Sequence, residues 1–271
     1  MELRNGRNKY GAEWIFHLKC KPIILKKIAI MDKIDNLFAK PITPETFRFD
    51  QVVAEVFPDM IKRSVPGYIT IIEGIGKIAH KYIQKNSLVY DLGCSLGAAT
   101  LSIREQVIDR SYQIVGLDNS EAMVNRCLQH LQVYRSNIPT EIVLADILEF
   151  KYQPCSFAVL NFTLQFLELK ERTRLLEKIY QSLHPGGALI LSEKILFDNE
   201  LTNQTMVDLH HQFKKNNGYS DLEIAQKRAA LERFLIPETQ QVHLERLNQV
   251  GFSRANIWFQ HYNFSSFLAV K

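Results

Sequence analysis

The stretch Leu88-Val-Tyr-Asp-Leu-Gly-Cys-Ser-Leu-Gly-Ala-Ala-Thr100 constrains the fold of this chain most. Leu88, Val89, Tyr90 and Leu92 form a short apolar, β-prone run of the kind that becomes a buried strand. Gly93 to Gly97 then reads as a glycine-bearing turn, and Ala98 to Val107 as a helix. Glycine is needed where the backbone turns tightly and lies against a ligand, because a Cβ there would clash. Strand, Gly-rich turn and helix open a dinucleotide- or nucleoside-binding α/β unit.

Two details set this turn apart from the usual nicotinamide fingerprint. The spacing is Asp91-x-Gly93-x-x-x-Gly97, with Ser95 where a second glycine would stand. An acid, Asp91, precedes the first glycine. Its carboxylate would repel a pyrophosphate and attract an amino-acid ammonium. The pattern resembles the S-adenosylmethionine (SAM) motif of Rossmann-like methyltransferases. The alternative is an ordinary strand-to-helix turn with no ligand.

Three further strand ends support a nucleoside. Gln113-Ile-Val-Gly-Leu-Asp-Asn119 is a second buried strand, and its Asp118 is placed to accept hydrogen bonds from both ribose hydroxyls. Its competing role is a helix cap for Glu121–Tyr134, a need that Asn119 or Ser120 can meet instead. Glu141-Ile-Val-Leu-Ala-Asp-Ile147 again ends in an acid. Asp146 suits the exocyclic amine of adenine and Ile147 the ring face; otherwise Asp146 starts a turn. In Phe157-Ala-Val-Leu-Asn-Phe-Thr-Leu164, Asn161 ends the apolar run where the carboxyl edge of the sheet meets the transferred group.

The rest of the chain fits around this frame. Residues 45–85 read as helical cover, with Phe47, Val52, Val53, Val56 and Phe57 on one face, and Pro58 and Pro66-Gly67 as punctuation. Tyr68 follows the Pro-Gly turn and either points into the cleft or packs on the surface. A helix over Leu169–Leu183 ends at His184-Pro-Gly-Gly187, and Ala188–Lys194 is a fifth strand. Residues 198–236 break the alternation with two polar amphipathic helices around Asn216-Asn-Gly-Tyr-Ser220. A helix over Thr239–Val250, capped by Gly251, precedes a hairpin over Ala255–His261 and Asn263–Val270. Short links between alternating strands and helices imply a parallel sheet with right-handed crossovers.

Composition narrows the partners. Residues 1–30 hold seven Lys/Arg against two Asp/Glu, so the formal charge of +4 leaves the remainder near −1. Global charge therefore gives no case for strong nucleic-acid binding. No apolar stretch reaches the roughly 18–20 residues that span a bilayer. Cys20, Cys94, Cys127 and Cys155 are widely spaced without a Cys-x-x-Cys pair, which argues for reduced thiols in a cytosol and against a zinc site. Residues 1–31 are expected to be a disordered basic extension or a misassigned start, with Met31 the natural first residue; the other reading is an amphipathic membrane-surface or targeting segment. Residues 32–271 are expected to form one SAM-binding domain.

Several segments carry a closer likeness. Val53-Ala-Glu-Val-Phe-Pro-Asp-Met60, Arg63-Ser-Val-Pro-Gly-Tyr68, Tyr90 through Thr100, Val159-Leu-Asn-Phe-Thr-Leu-Gln-Phe166, Asn217-Gly-Tyr-Ser220 and Gln226-Lys-Arg228 resemble the bacterial carboxy-S-adenosyl-L-methionine synthases. The likeness runs from about Asp32 to the C-terminus. It implies an α/β, Rossmann-like class I methyltransferase fold with a mostly parallel seven-stranded sheet, helices on both faces and a helical insertion after strand 5. It also implies a cytoplasmic homodimer, without metal or membrane association, that converts SAM and prephenate into carboxy-SAM and phenylpyruvate. The product would serve a separate tRNA carboxymethyltransferase that makes 5-oxyacetic acid at wobble uridine. By the same resemblance Tyr68, Gly93, Cys94, Ser95, Asp118, Asn119, Asp146, Ile147 and Asn161 line the SAM moiety, and Arg228 binds the extra carboxylate.

The implied chemistry suits these residue types. A sulfonium makes its methyl protons weakly acidic, so a ylide-like carbon can capture carbon dioxide released from prephenate, which itself helps to remove the proton. The sequence offers no obvious dedicated base. The protein would then supply positioning, water exclusion and anion binding. Two other readings share the cofactor residues or some of them: a conventional methyltransferase acting on a small molecule or RNA, and a non-catalytic SAM- or tRNA-binding scaffold.

Overall fold

Along β1 (Ser87–Leu92) successive side chains enter two different cores. Val89 joins one, and Tyr90 and Leu92 the other. The same division holds in β2 (Tyr112–Asp118), where Ile114 opposes Val115 and Leu117, and in β4 (Cys155–Asn161), where Phe157 and Val159 oppose Ala158 and Leu160. A sheet covered on both faces needs near-continuous apolar strands, which is what the sequence supplies. The computed structural model describes residues 33–40, 48–231 and 234–271. The expectations for residues 1–31, for Asp32 as a domain boundary and for Phe47 on the first helical face lie outside the described residues.

The sheet is continuous from β3 (Thr140–Leu144) through β2, β1, β4 and β5 (Leu183–Leu196) to β8 (Phe264–Val270) and β7 (Arg254–His261). β1 to β5 pair in parallel, and β8 is antiparallel to both neighbours. This is the expected seven-stranded path. A two-residue strand, β6 (Glu238–Thr239), additionally pairs with the end of β5. One face is covered by α2 (Tyr68–Tyr82) and α3 (Ala98–Gln106), the other by α5 (Leu169–Ser182) and α8 (Gln240–Val250). α1 (Gln51–Ser64) packs with α4 (Glu121–Val133) through Val53, Val56, Met60, Leu96 and Met123. The insertion forms α6 (Glu200–Asn216) and α7 (Asp221–Leu231).

Some expected boundaries shift. α1 runs through Pro58 instead of stopping there. Proline removes one intrahelical hydrogen bond, but Val53, Val56 and Met60 are buried on one face against Leu96 and Met123, and that packing outweighs the loss. β3 ends at Leu144, so Asp146 lies two residues beyond the strand, in a turn. β4 ends at Asn161, and a single 3-10 turn over Leu164–Phe166 follows it. His184-Pro-Gly-Gly187 belongs to β5 as an irregularity: Cys155 pairs with Leu183 while Phe157 pairs with Ala188. Gly251 caps α8 at φ 119°, as expected.

Candidate active site

The strand order reverses direction at β1 and β4, so a crevice opens outside their carboxyl ends, where open α/β sheets bind ligands. The Gly-rich loop stands there. Gly93 has φ 72° and Gly97 has φ 79°, in the left-handed region that glycine enters without strain. The amides of Gly93 and Cys94 both donate to the carbonyl of Leu117, at 2.8 and 2.9 Å, which seats the loop on the end of β2. A Cβ on Gly93 would lie 2.5 Å from Oγ1 of Thr163, whose hydroxyl donates to Leu92 O at 2.8 Å. Ser95 and Phe162 also take positive φ, 49° and 62°. Non-glycine residues held there cluster at ligand sites.

Asp118 locks this loop to the second strand. Its Oδ2 accepts from Ser95 N at 2.9 Å and its Oδ1 from Ser120 N at 2.9 Å. Burial raises its carboxyl, and the amides of Ser120, Ser95 and Asn119 oppose that rise. Ser120, not Asp118, caps α4, accepting from Met123 N, which leaves the acid at the cleft. Asn119 beside it is exposed. Ala145 N donates to Asp118 O at 3.0 Å, so the ends of β2 and β3 are joined directly. Beyond this link Ile147 is buried, while Asp146 is exposed and accepts from Leu148 N at 2.8 Å. The turn-forming role weighed for Asp146 is therefore real, and its backbone position beside Asp118 is retained with it.

Asp91 has a more structural place than its position in the motif indicates. Its Oδ2 accepts both Thr100 N, at 3.0 Å, and Thr100 Oγ1, at 2.6 Å, at the start of α3. It thus ties strand to helix beneath the loop. Burial pushes its carboxyl up to about 6, against the Thr100 hydrogen bonds. Tyr68 opens α2 directly after Gly67, at φ 73°, and its ring meets Phe162 at 6.5 Å. Burial raises its phenol, with Asp91's charge adding to the rise. Cys94 turns its thiol inward against Cys127, and that hydrogen bond and burial push the thiol up. Only its backbone remains to face a ligand.

Asn161 ends β4 beside these groups. Its Oδ1 is buried without a hydrogen-bond partner. A buried polar atom left unpaired is costly, and an ammonium is a donor that suits this acceptor. Arg228 stands exposed on α7, where its charge acts on His211 and Lys214 of α6.

Other residues were invisible to pattern reading. Thr163 backs Gly93, and Glu193 accepts from Leu164 N at 3.0 Å to hold the turn after Asn161. Glu193 is fully buried and its carboxyl is pushed up to about 8 by that burial. Lys227, next to Arg228, is 5% exposed and pairs with Asp35, 1% exposed, at 3.2 Å. Its ammonium also donates to Ser64 Oγ at 2.9 Å and Tyr219 Oη at 3.1 Å. Ser64, Tyr219 and Lys227 each lie in a segment that carries the resemblance, Arg63–Tyr68, Asn217–Ser220 and Gln226–Arg228, but no local pattern joins them to Asp35.

A glycine loop pinned by an acid at the end of the second strand, in a sheet with this strand order, defines the SAM-dependent methyltransferase fold class. A methyltransferase-domain profile accordingly matches residues 89–187. Among solved structures, a putative O-methyltransferase from Nostoc punctiforme superposes with a TM-score of 0.58 at 14% identity, over 82% of this chain and 59% of that one. Human N-acetylserotonin methyltransferase in complex with SAM gives 0.55 at 16% identity, over 82% and 55%. At such identities these likenesses bear on the fold alone. Sequence relatives narrow the family. The carboxy-S-adenosyl-L-methionine synthase of Aliivibrio fischeri is 53% identical over 238 residues, covering 88% of this chain and 98% of the relative. That of Vibrio atlanticus is 52% identical over 242 residues, covering 89% and 100%. The chain belongs to the carboxy-S-adenosyl-L-methionine synthase family and is an enzyme, a transferase.

Proposed function

We propose that this enzyme converts SAM and prephenate into carboxy-SAM and phenylpyruvate. The observation that carries the reading is the identity of 53% to a carboxy-SAM synthase across nearly the whole of that relative. The loop geometry supports it: Ser95 N donates to Asp118, an acid that suits ribose hydroxyls, and Asn161 Oδ1 lacks a partner. In this reading Tyr68, Gly93, Cys94, Ser95, Asp118, Asn119, Asp146, Ile147 and Asn161 surround SAM, with Cys94 acting through its backbone. Arg228 receives the new carboxylate, for which a guanidinium fork gives two charge-assisted hydrogen bonds. The sulfonium supplies the acidic methyl, and the protein orients it, excludes water and holds the anions. Residues 32–271 work as one domain, in a homodimer in the cytoplasm, and the product passes to a separate enzyme that modifies the tRNA wobble uridine. Among the described residues no helix is long and apolar enough to cross a membrane.

Mass spectrometry of the ligand released from purified protein, beside a prephenate-plus-SAM assay, tests this. The expected ligand is heavier than SAM by one carbon dioxide, with phenylpyruvate formed. Plain SAM or S-adenosylhomocysteine, and no phenylpyruvate after SAM is supplied, would turn the reading to a methyltransferase with another acceptor.

A further inference from the structure

The ends of α3 and α4 that lie away from the Gly-rich loop meet around a buried guanidinium. Arg104, in the last turn of α3, is 8% exposed. A guanidinium carries five N–H donors. Among the described residues Arg104 makes one hydrogen bond, from Nη2 to Tyr134 O at 2.9 Å. Tyr134 is the C-cap residue of α4, so this bond fixes the start of the loop that follows. Nε of Arg104 is buried with no partner. No carboxylate among the described residues pairs with this charge, and burial lowers its pKa. An arginine is rarely buried unless it is paired, because stripping water from an unmatched charge is costly.

A cavity of about 500 Å³ opens beside this group, lined by Arg104, Leu131, Gln132, Arg135, Ser136 and Asn137. Arg135, in the loop after α4, is exposed and makes no ion pair or hydrogen bond with a described residue. Ser136 Oγ accepts from Ile138 N at 3.2 Å, which leaves its own hydrogen to give. Gln132 and Asn137 add side-chain amides. The lining thus offers two positive charges, three neutral donors and no acidic side chain. An anion that enters would supply what Arg104 lacks.

The donor set also selects the anion. A carboxylate presents two oxygens and one charge. A phosphoryl group presents three oxygens and nearly two charges at neutral pH, in better proportion to two guanidinium forks with three further donors. Two arginines are few for a polynucleotide, whose binding neutralises several phosphates. The volume lies in the range of small-molecule sites. Thr100, at the opposite end of α3, holds Asp91 beneath the Gly-rich loop, so the two ends of one helix serve two places.

We propose that Arg104 and Arg135 hold the phosphoryl group of a small ligand in this cavity, at a site separate from the SAM crevice. Arg104 is the fixed anchor, and Arg135 approaches from the loop. The inference is independent of the reaction that the enzyme catalyses.

Calorimetric titration of the full chain, with and without SAM, tests this with inorganic phosphate, ribose 5-phosphate and malonate as probes. Saturable binding of a phosphate probe is expected, unchanged by SAM and tighter than that of malonate. Tighter binding of ribose 5-phosphate than of inorganic phosphate identifies an esterified phosphate as the ligand; the reverse order identifies the free ion. Loss of a charged hydrogen bond predicts roughly tenfold to a hundredfold weaker binding in Arg135→Ala and in Arg104→Met. Arg174→Ala, on α5, should match wild type. Should Arg104→Met fail to fold, the exposed Arg135 decides the matter alone. No binding of either phosphate probe, tighter binding of malonate, displacement of phosphate by SAM, or wild-type affinity in Arg135→Ala overturns the site.

Discussion

Asp91 carries a charge that its surroundings disfavour. Its carboxyl titrates at about 6 in the fold against 3.8 for the free side chain, with burial as the main cause. Below about pH 4 the group is neutral in both states and costs nothing. As pH rises from 3.8 to 6 the unfolded chain releases the proton that the folded chain retains, so stability falls by about 3 kcal/mol across this window and is level above it. An ammonium delivered by SAM would offset that cost. Asp91→Asn keeps an oxygen for Thr100 while removing the charge. The apo variant should lose the fall between pH 4 and 6 and melt no lower than wild type at pH 7, while its SAM affinity drops about tenfold or more. Denaturant midpoints across pH, with calorimetric titration of SAM, measure both; a less stable variant with intact affinity would contradict this account. Arg228 is the opposite case: exposed in this structure, it would in the proposed function be buried against the carboxylate of one ligand. Arg228→Ala should weaken carboxy-SAM binding by about 10²–10³-fold, the worth of a buried charge pair, and leave SAM nearly unaffected. Equal losses for both ligands would remove the assigned role.

At the scale of elements, the Gly-rich loop is a wedge between two strand ends. Gly93→Ala meets the left-handed backbone and the 2.5 Å approach to Thr163 Oγ1 together. We expect a loss of about 1–3 kcal/mol of stability and at least tenfold weaker SAM binding. Thr163→Ala removes Oγ1 and also Cγ2, which would lie 2.6 Å from the new Cβ, so Gly93→Ala should cost less in that background; thermal melts of the four proteins give the coupling. This element was legible in the sequence because its signals are local: a strand, two glycines, and Asp118 within 27 residues of Asp91. The passage of α1 through Pro58 was not, since packing of Val53, Val56 and Met60 decides it. The turn at Asp146 was legible only as one of two readings, because the apolar run continues past the last ladder bond of β3. Thr163, two residues past β4, and Glu193, in β5, are ordinary letters in the sequence and gain meaning only from what lies across the sheet.

Across the whole molecule, the contact between Asp35 and Lys227 joins residues 192 positions apart, a separation no local pattern can register. It fastens three parts to one another: the segment before α1, the C-terminal end of α1, and α7 with Arg228 on it. Tyr219 donates to the same Asp35 oxygen, while Arg63 lies over the Tyr219 ring at 3.9 Å and donates to Asp35 O at 3.0 Å. Desolvation brings the Lys227 ammonium down to about 8, with Asp35 resisting the shift. Removing one partner of such a pair strands the other charge, a loss of about 3–5 kcal/mol. For a chain of this size that is roughly 6–20 °C in melting temperature. Lys227→Met should therefore melt well below wild type, and Asp35→Asn combined with Lys227→Met should regain much of the difference, because no uncompensated charge is left. The functional consequence separates this clasp from a merely stabilising contact. Adjacent helix residues point about 100° apart, so the buried Lys227 sets the direction in which Arg228 projects. The double variant, though restored in stability, should still bind carboxy-SAM more weakly than wild type while binding SAM equally. A double variant with wild-type affinity for both would show that α7 is held by its other contacts alone.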